Sequence, residues 1–357
     1  MGDYAFLHSV IRFIVRKSMK YNGKYRGGCW QWLLPLLLMA GFCQEAFCQL
    51  MPRPKVGLVL GGGGAKGAAE VGVLKVIEEA GIPIDYIAGT SIGSIVGGLY
   101  AIGYRAEQLD SLFTSQEWLT LLSDRQERHR NKIYQEQDSV GYVFGFPIIR
   151  KGKKNGDESF GMVKGDKILQ LLQQKTGSYD ALPFDSLPIP FRCVAVDLNK
   201  WREVVLQGGS LARAMRASMA IPGVFKALRS NDRLLVDGGV LNNLPVDVVR
   251  KMGADIVIAI DLTQKKHASR DFSLKEWVGI GGAVDWLVSR PDITKYNKNR
   301  QDANLYINPP LEGYDVASFN NASIREMIHI GQRTGKKHWN DLLKVKEMVE
   351  KRKFSTQ

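Results

Sequence analysis

Lys55-Val56-Gly57-Leu58-Val59-Leu60-Gly61-Gly62-Gly63-Gly64-Ala65-Lys66-Gly67 is the stretch that decides the fold. Its first part, ending Leu-Val-Leu, reads as a short buried strand. Four glycines break the strand, and Ala65 to Ala80 reads as a helix. Ala69, Val73, Val76 and Ile77 fall at helical spacing there, and Gly81 closes it. Glycines let successive backbone N–H groups point into one concavity. At a helix N-terminus these donors meet the positive end of the dipole, which makes a ready anion site. The anion is either a phosphate or a transient oxyanion. Gly62, Gly64 and Gly67 also satisfy G-x-G-x-x-G, which keeps a dinucleotide-binding reading open. The order Ala65-Lys66-Gly67 excludes a Walker A loop. Lys66 opposes the dipole in the first turn; it either aids an anionic substrate or is simply solvated.

The pattern repeats downstream. Ile82 to Ala88 reads as a second strand, and Ile92 to Tyr104 as a second helix rich in small residues. Strand–helix–strand–helix order predicts an α/β fold, a parallel sheet with helices on its faces. Between the second strand and helix lies Gly89-Thr90-Ser91-Ile92-Gly93. This G-x-S-x-G places a serine on a tight turn with its hydroxyl lifted above the sheet. The bland alternative is a serine N-cap. A third motif, Asp237-Gly238-Gly239, follows Leu234-Leu235-Val236. Asp-Gly is a turn signal, but it also sets a carboxylate at a strand's C-terminal end, where α/β sheets place their sites.

The rest of the chain continues the alternation. Helices are expected at Lys164–Lys175, Leu211–Ser218 and Pro245–Met252, and strands at Phe191–Asp197, Arg233–Val236 and Ile256–Asp261, with Glu203–Leu206 extended. Residues 264–322 are less regular. Ser323 to Lys351 reads as one or two basic amphipathic helices that cap the sheet rather than enter a membrane. Residues 123–160 hold a charge run, then the aromatic Val143-Phe144-Gly145-Phe146-Pro147-Ile148-Ile149, and read as an inserted hairpin or lid. The aromatic segment is core, or the part of a lid that dips into lipid.

A serine nucleophile needs a base. Histidines are few: His8, His129, His267, His329 and His338. Only His267 follows a strand end in the chain order Ser, Asp, His. An aspartate as sole base is the more economical reading. Its pKa should be raised by apolar surroundings yet leave it ionised near neutrality.

Taken together, the three motifs resemble the patatin-like phospholipase family, in its exported bacterial branch. Gly62-Gly63-Gly64-Ala65-Lys66-Gly67 is similar to that family's oxyanion motif. Gly89-Thr90-Ser91-Ile92-Gly93 is similar to its nucleophile elbow, and Asp237-Gly238-Gly239 to its catalytic Asp motif. Arg213 to Phe225 and Asn242-Asn243-Leu244-Pro245 fit the same pattern. The resemblance implies a three-layer α/β/α sandwich with a mainly parallel central sheet over about residues 55–262. It also implies a C-terminal helical extension, 263–357, packing on that domain. The activity it implies is hydrolysis of fatty-acyl esters of phospholipids, of phospholipase A or lysophospholipase type. Ser91 would be the nucleophile, Asp237 the proton acceptor, and the N–H groups of Gly62, Gly63 and Gly64 the oxyanion hole. Two other classes stand beside this one: a catalytically silent lipid-binding or scaffold module, and a dinucleotide-binding oxidoreductase. The latter wants an acidic residue at the end of the second strand, whereas Asp85 sits near its start.

Composition agrees with a lipid-facing role. The chain has 357 residues, 45% hydrophobic and 24% charged, which argues against a mainly disordered chain or a coiled coil. Its net charge of +13 favours anionic surfaces, whether phospholipid, cell envelope or nucleic acid. No nucleic-acid motif accompanies it. Residues 1–48 carry +4 of that charge, leaving +9. They run from a basic segment into Leu33–Phe42, too short to span a bilayer, and then small residues with Ala46 and Cys48 before Gln49. That is the pattern of an export signal, with Met1 or Met19 as its start, either cleaved before Gln49 or kept as an uncleaved anchor. The expected location, after export across the inner membrane, is the periplasm, the outer-membrane periphery or the medium outside. Some members of the branch continue into an outer-membrane barrel; this sequence stops at Gln357, so none is expected. Outside residues 1–48 only Cys193 remains, in an apolar strand, and no residues have metal-ligand spacing. Neither a cofactor nor a metal is expected.

Overall fold

The computed structural model describes residues 53–123, 161–179, 181–264 and 293–351. The export signal, nearly all of the 123–160 insertion with its aromatic segment, and His267 lie outside them. The first half of the described chain runs β1 (Val56–Leu60), α1 (Ala68–Ala80), β2 (Tyr86–Thr90), α2 (Ile92–Ala101), α3 (Ala106–Ser115), α4 (Trp118–Ser123), β3 (Gly161–Val163), α5 (Asp166–Thr176), β4 (Leu182–Pro183), β5 (Phe191–Asp197) and β6 (Arg202–Leu206). The second half runs β7 (Gly208–Gly209), α6 (Leu211–Ser218), β8 (Gly223–Phe225), β9 (Leu228–Ser230), β10 (Arg233–Asp237), α7 (Val246–Lys251), β11 (Ile256–Ile260), α8 (Ile293–Asp302), β12 (Leu305–Ile307), α9 (Asn321–Lys337) and α10 (Trp339–Lys351).

Eight strands form the central sheet, in the order β12-β11-β1-β2-β5-β10-β9, with β6 on the other edge of β5. From β12 to β5 every ladder is parallel. Beyond β5 the pairing turns antiparallel, to β10, β9 and β6. β1 and β11 are buried along their whole length because both faces are covered. Alternate residues point to opposite faces. Val56, Leu58 and Leu60 join α1 and α2 in one core, whereas Val59 packs with Val246, Val248 and Val249 of α7 and with Tyr296 of α8. The result is the expected three-layer α/β/α sandwich.

Several boundaries differ from the sequence expectation, and two have a clear physical reason. β2 begins at Tyr86, not Ile82, because Pro83 has no N–H to give to a ladder. α1 begins at Ala68 after a tight turn, Gly64–Gly67, whose entry is fixed by Ala65 N–H donating to Val316 O at 3.0 Å. That carbonyl comes from the stretch read as irregular, which also supplies α8 and β12. α9 is capped by Asn320, whose side chain accepts from Ser323 N–H at 2.9 Å. It crosses α1 backbone to backbone: a Cβ on Gly331 would lie 1.9 Å from Ala69 O, and one on Gly72 2.0 Å from Ile328 O. α9 keeps Ile324, Met327 and Ile328 buried against α1 and turns Arg325, Arg333, Lys336 and Lys337 outward. Among the described residues no helix is long and apolar enough to cross a membrane.

Candidate active site

The site is made by two strands that meet nose to nose. β2 runs parallel to β5 and ends with Thr90 opposite Val194. β10 runs antiparallel to β5 and ends with Asp237 opposite Ala195, the next residue along. β6 covers the other edge of β5 from Cys193 to Asp197, so β2 and β10 share one edge. The register therefore brings Ser91, just past Thr90, against Asp237, although 146 residues separate them.

Ser91 has φ 54° and ψ −124°, a left-handed conformation that a non-glycine residue adopts only when its surroundings impose it. Three groups impose it. The Ser91 N–H donates to Ser218 Oγ at 2.9 Å, and the Ser218 hydroxyl donates to Val194 O at 2.5 Å. Ser94 Oγ donates back to Ser91 O at 2.6 Å. Gly93 lets α2 descend onto β1: a Cβ there would lie 2.4 Å from Leu60 O. Gly89 is hemmed in likewise, 2.4 Å from Gly93 O. Gly93→Ala is accordingly expected to lose about 2–3 kcal/mol. Thermal melting checks this; an unchanged midpoint would contradict the close approach.

Asp237 is 1% exposed. Its Oδ2 accepts the Ser91 hydroxyl at 2.7 Å and its Oδ1 accepts the Gly239 N–H at 2.7 Å. Burial pushes the carboxyl up to about 6, and these two hydrogen bonds keep it from rising further. It remains ionised at neutral pH, next to a hydroxyl whose proton points at it. Gly238 passes so close to β5 that a Cβ would lie 2.3 Å from Val194 O. Of the described histidines, His329 is exposed on α9 and His338 faces Asp341 at 3.3 Å; neither touches Ser91.

The glycine loop lies beside the serine: a Cβ on Gly62 would be 3.1 Å from Ser91 Cβ. Gly61 N–H donates to Ile260 O at 3.0 Å and Gly62 N–H to Asn243 O at 3.2 Å. The N–H groups of Gly63 and Gly64 donate to no described residue, and Gly64 has φ 58°. Two of the three expected donors are thus unengaged, and the third is held by Asn243. Lys66 is buried in the tight turn, and Gly67 packs where a Cβ would lie 2.3 Å from Ile92 Cγ1.

Several residues of the segments singled out in the sequence take supporting roles that the motifs alone do not specify. Asn243 clamps the loop from both sides, its Nδ2 donating to Gly62 O at 3.1 Å. Thr90 Oγ1 donates to Asn242 O at 2.9 Å. One Asn-Asn pair therefore ties the segment after Asp237 to both the elbow and the glycine loop. Ser218 lies in the Arg213–Phe225 block that fits the family pattern, but nothing in that block marks its hydroxyl as the acceptor for the elbow N–H. Asp85 lies at the opposite end of β2, where it accepts from Val56 N–H at 2.8 Å and pairs with Lys55 Nζ at 3.2 Å. That is the wrong end for gripping the ribose of a dinucleotide. Cys193 is wholly buried and its thiol is pushed up to about 12 by burial, so it packs as a small apolar group. The described residues contain no group of three or more His, Cys, Asp or Glu that could hold a metal.

A mostly parallel sheet in an α/β/α sandwich thus carries a buried Ser–Asp pair beside a glycine loop. The patatin-like phospholipase family model matches residues 58–250, and the chain belongs to that family. It is 35% identical over 209 residues to an NTE family protein of Mycobacterium tuberculosis, covering 58% of this chain and 49% of that one. It is 27% identical over 329 residues to lysophospholipase NTE1 of Phaeosphaeria nodorum, covering 84% of this chain and 19% of that one. The match thus spans about half of the first relative and a fifth of the second. Among solved structures it is similar to VipD from Legionella pneumophila, with a TM-score of 0.42 at 15% identity over 81% of this chain and 67% of that one.

Proposed function

We propose that the chain is a serine lipid acyl hydrolase of phospholipase A or lysophospholipase type, working through a Ser91–Asp237 dyad. The observation that carries this reading is the 2.7 Å hydrogen bond from Ser91 Oγ to a buried, ionised Asp237, beside two unengaged loop N–H groups. Ser91 Oγ attacks the ester carbonyl as its proton passes to Asp237 Oδ2. The carbonyl oxygen becomes an oxyanion, held by the N–H groups of Gly63 and Gly64. Collapse breaks the C–O bond, and Asp237 returns its proton to the departing alcohol, the lysolipid or head-group portion. Water then attacks the acyl-Ser91 ester, giving its proton to Asp237. Release of the fatty acid returns a proton to Ser91. The reaction needs no metal or cofactor. Membership of the patatin-like family supports the substrate class, and the basic segment leading into an apolar run within residues 1–48 supports export to the periplasm or outer-membrane periphery. The catalytic domain in this reading is residues 55–262, with 123–160 as its lid and 263–357 as its helical extension.

Fatty-acid release from phosphatidylglycerol and phosphatidylethanolamine vesicles, and p-nitrophenol release from acyl esters, test the proposal. Because the base must be ionised, the rate is expected to climb through about pH 6 and level off above it. Stability runs the other way. A carboxyl whose pKa is higher folded than unfolded binds more protons in the native state, so stability falls as pH rises from about 4 to about 6, by on the order of 3 kcal/mol. No turnover on any ester at pH 8 would remove the hydrolase reading.

A further inference from the structure

The chain reverses between β5 and β6 through Leu198-Asn199-Lys200-Trp201. Trp201 has φ 46° and 57% of its surface in solvent. A bulky side chain is a true outlier in that region, which suits glycine or asparagine. An indole with more than half of its surface in water also forgoes most of the burial that normally justifies its size. A turn that only reversed the chain would be better served by glycine. Backbone strain of this kind persists where a site uses the residue it presents.

The neighbouring turn, between β9 and β10, stands alongside. Leu198 N–H donates to Leu234 O at 2.8 Å, and Asn199 Nδ2 reaches Asp232 O at 3.5 Å. The two turns together expose Lys200, Arg202, Arg229 and Arg233 against one carboxylate, Asp232. None of the four cations forms an ion pair with a described residue. The basic face of α9 differs, since its Lys336 pairs with Glu79 and its Arg333 with Glu326.

This tip lies at the end of the sheet where Ser91 sits. β5 is parallel to β2 and runs past Thr90 by Ala195, Val196 and Asp197, about 10 Å, before it turns. Ser91 therefore lies at the foot of a cationic, tryptophan-tipped double turn.

We propose that this double turn is the surface by which the protein docks on an anionic phospholipid bilayer. Trp201 enters the headgroup layer, where an indole's apolar body and polar N–H are both accommodated. Lys200, Arg202, Arg229 and Arg233 face the anionic headgroups. Docking in this pose turns the Ser91 site toward its lipid, and in that one respect the inference rests on the hydrolase reading.

The test is sedimentation of the full chain with phosphatidylcholine vesicles and with vesicles that also contain phosphatidylglycerol. Any contribution of residues 1–48 is common to every chain compared. The parent should prefer the anionic vesicles. Trp201→Gly should weaken that binding roughly tenfold. Lys200→Gln with Arg202→Gln should weaken it by roughly fivefold per charge and erode the preference. Trp201→Gly should melt no lower than the parent, since glycine suits the turn, and all three chains should hydrolyse a soluble p-nitrophenyl ester equally. Equal vesicle binding by parent and Trp201→Gly, or a lowered melting temperature in that variant, overturns the proposal. So does a parent with no preference for the anionic vesicles. A parent that hydrolyses no ester yet binds vesicles through Trp201 removes the hydrolase reading and leaves the docking surface standing.

Discussion

Ser91→Ala is expected to bring fatty-acid release down to background, a loss of at least about 10⁴ in kcat. The substitution removes one oxygen, and with it the atom that forms the acyl bond. It also removes one of the two hydrogen bonds on Asp237, so that carboxyl should rise above about 6 and lie partly protonated nearer neutrality. The fold should not suffer. Ser91 is held at φ 54°, and relief of such a conformation is worth about 1–3 kcal/mol. Ser91→Gly should therefore be as inactive as Ser91→Ala and melt higher than the parent. Residual turnover above background in both variants, on the same ester, would remove Ser91 as the nucleophile.

Asp237→Asn is the second large effect, about 10³–10⁴ in kcat, and its cause is different. The amide matches the carboxylate in size, but it must choose an orientation. Gly239 N–H needs an acceptor, so the amide oxygen turns to it and the NH₂ faces Ser91 Oγ. The serine hydroxyl then receives a hydrogen bond where it formerly gave one, and nothing remains to take its proton. Removing a buried charge should leave the melting temperature unchanged or raised. Titration across pH 5–9 separates this from a simple packing defect: the climb through about pH 6 should vanish in the variant. A variant that keeps both that climb and most of its rate would show that another group serves as the base.

How much of this was legible in the sequence depends on what each residue has to do. The strands buried on both faces, β1 and β11, announce themselves as apolar runs; the glycine loop sits at the end of β1 and the elbow at the end of β2, where the spacing puts them. α8 does not. Its sequence, Ile293 to Asp302, is polar nearly all round, and only Tyr296 and Asn299 are buried. Asn299 is held by hydrogen bonds to Leu244 O at 2.8 Å and Asn242 Oδ1 at 3.1 Å, which leave no mark on hydropathy. β12 is three residues at a sheet edge, too short for a periodicity. The turn from parallel to antiparallel pairing beyond β5 was equally hidden, because the alternation of buried and exposed residues is the same for either direction. The roles of Ser218 and Asn243 are fixed by that topology and not by their neighbours in sequence. The partnership of Ser91 and Asp237, by contrast, came from the three motifs and their order, and the fold then supplied the geometry.

The meeting of β2 and β10 on one edge of β5 has a consequence for how the chain comes alive. Strand pairing has a period of two, so a slip of β10 by a single residue would swing Asp237 to the other face of the sheet. Nothing short of the correct register completes the dyad. Contacts at such sequence separation close late in folding, since the loop entropy must be overcome first. A chain still being made or threaded, with Ser91 formed but residues beyond 230 not yet in place, carries its nucleophile without a base. In the proposed reaction such a chain has no base, and so no activity, until β10 has paired in register with β5.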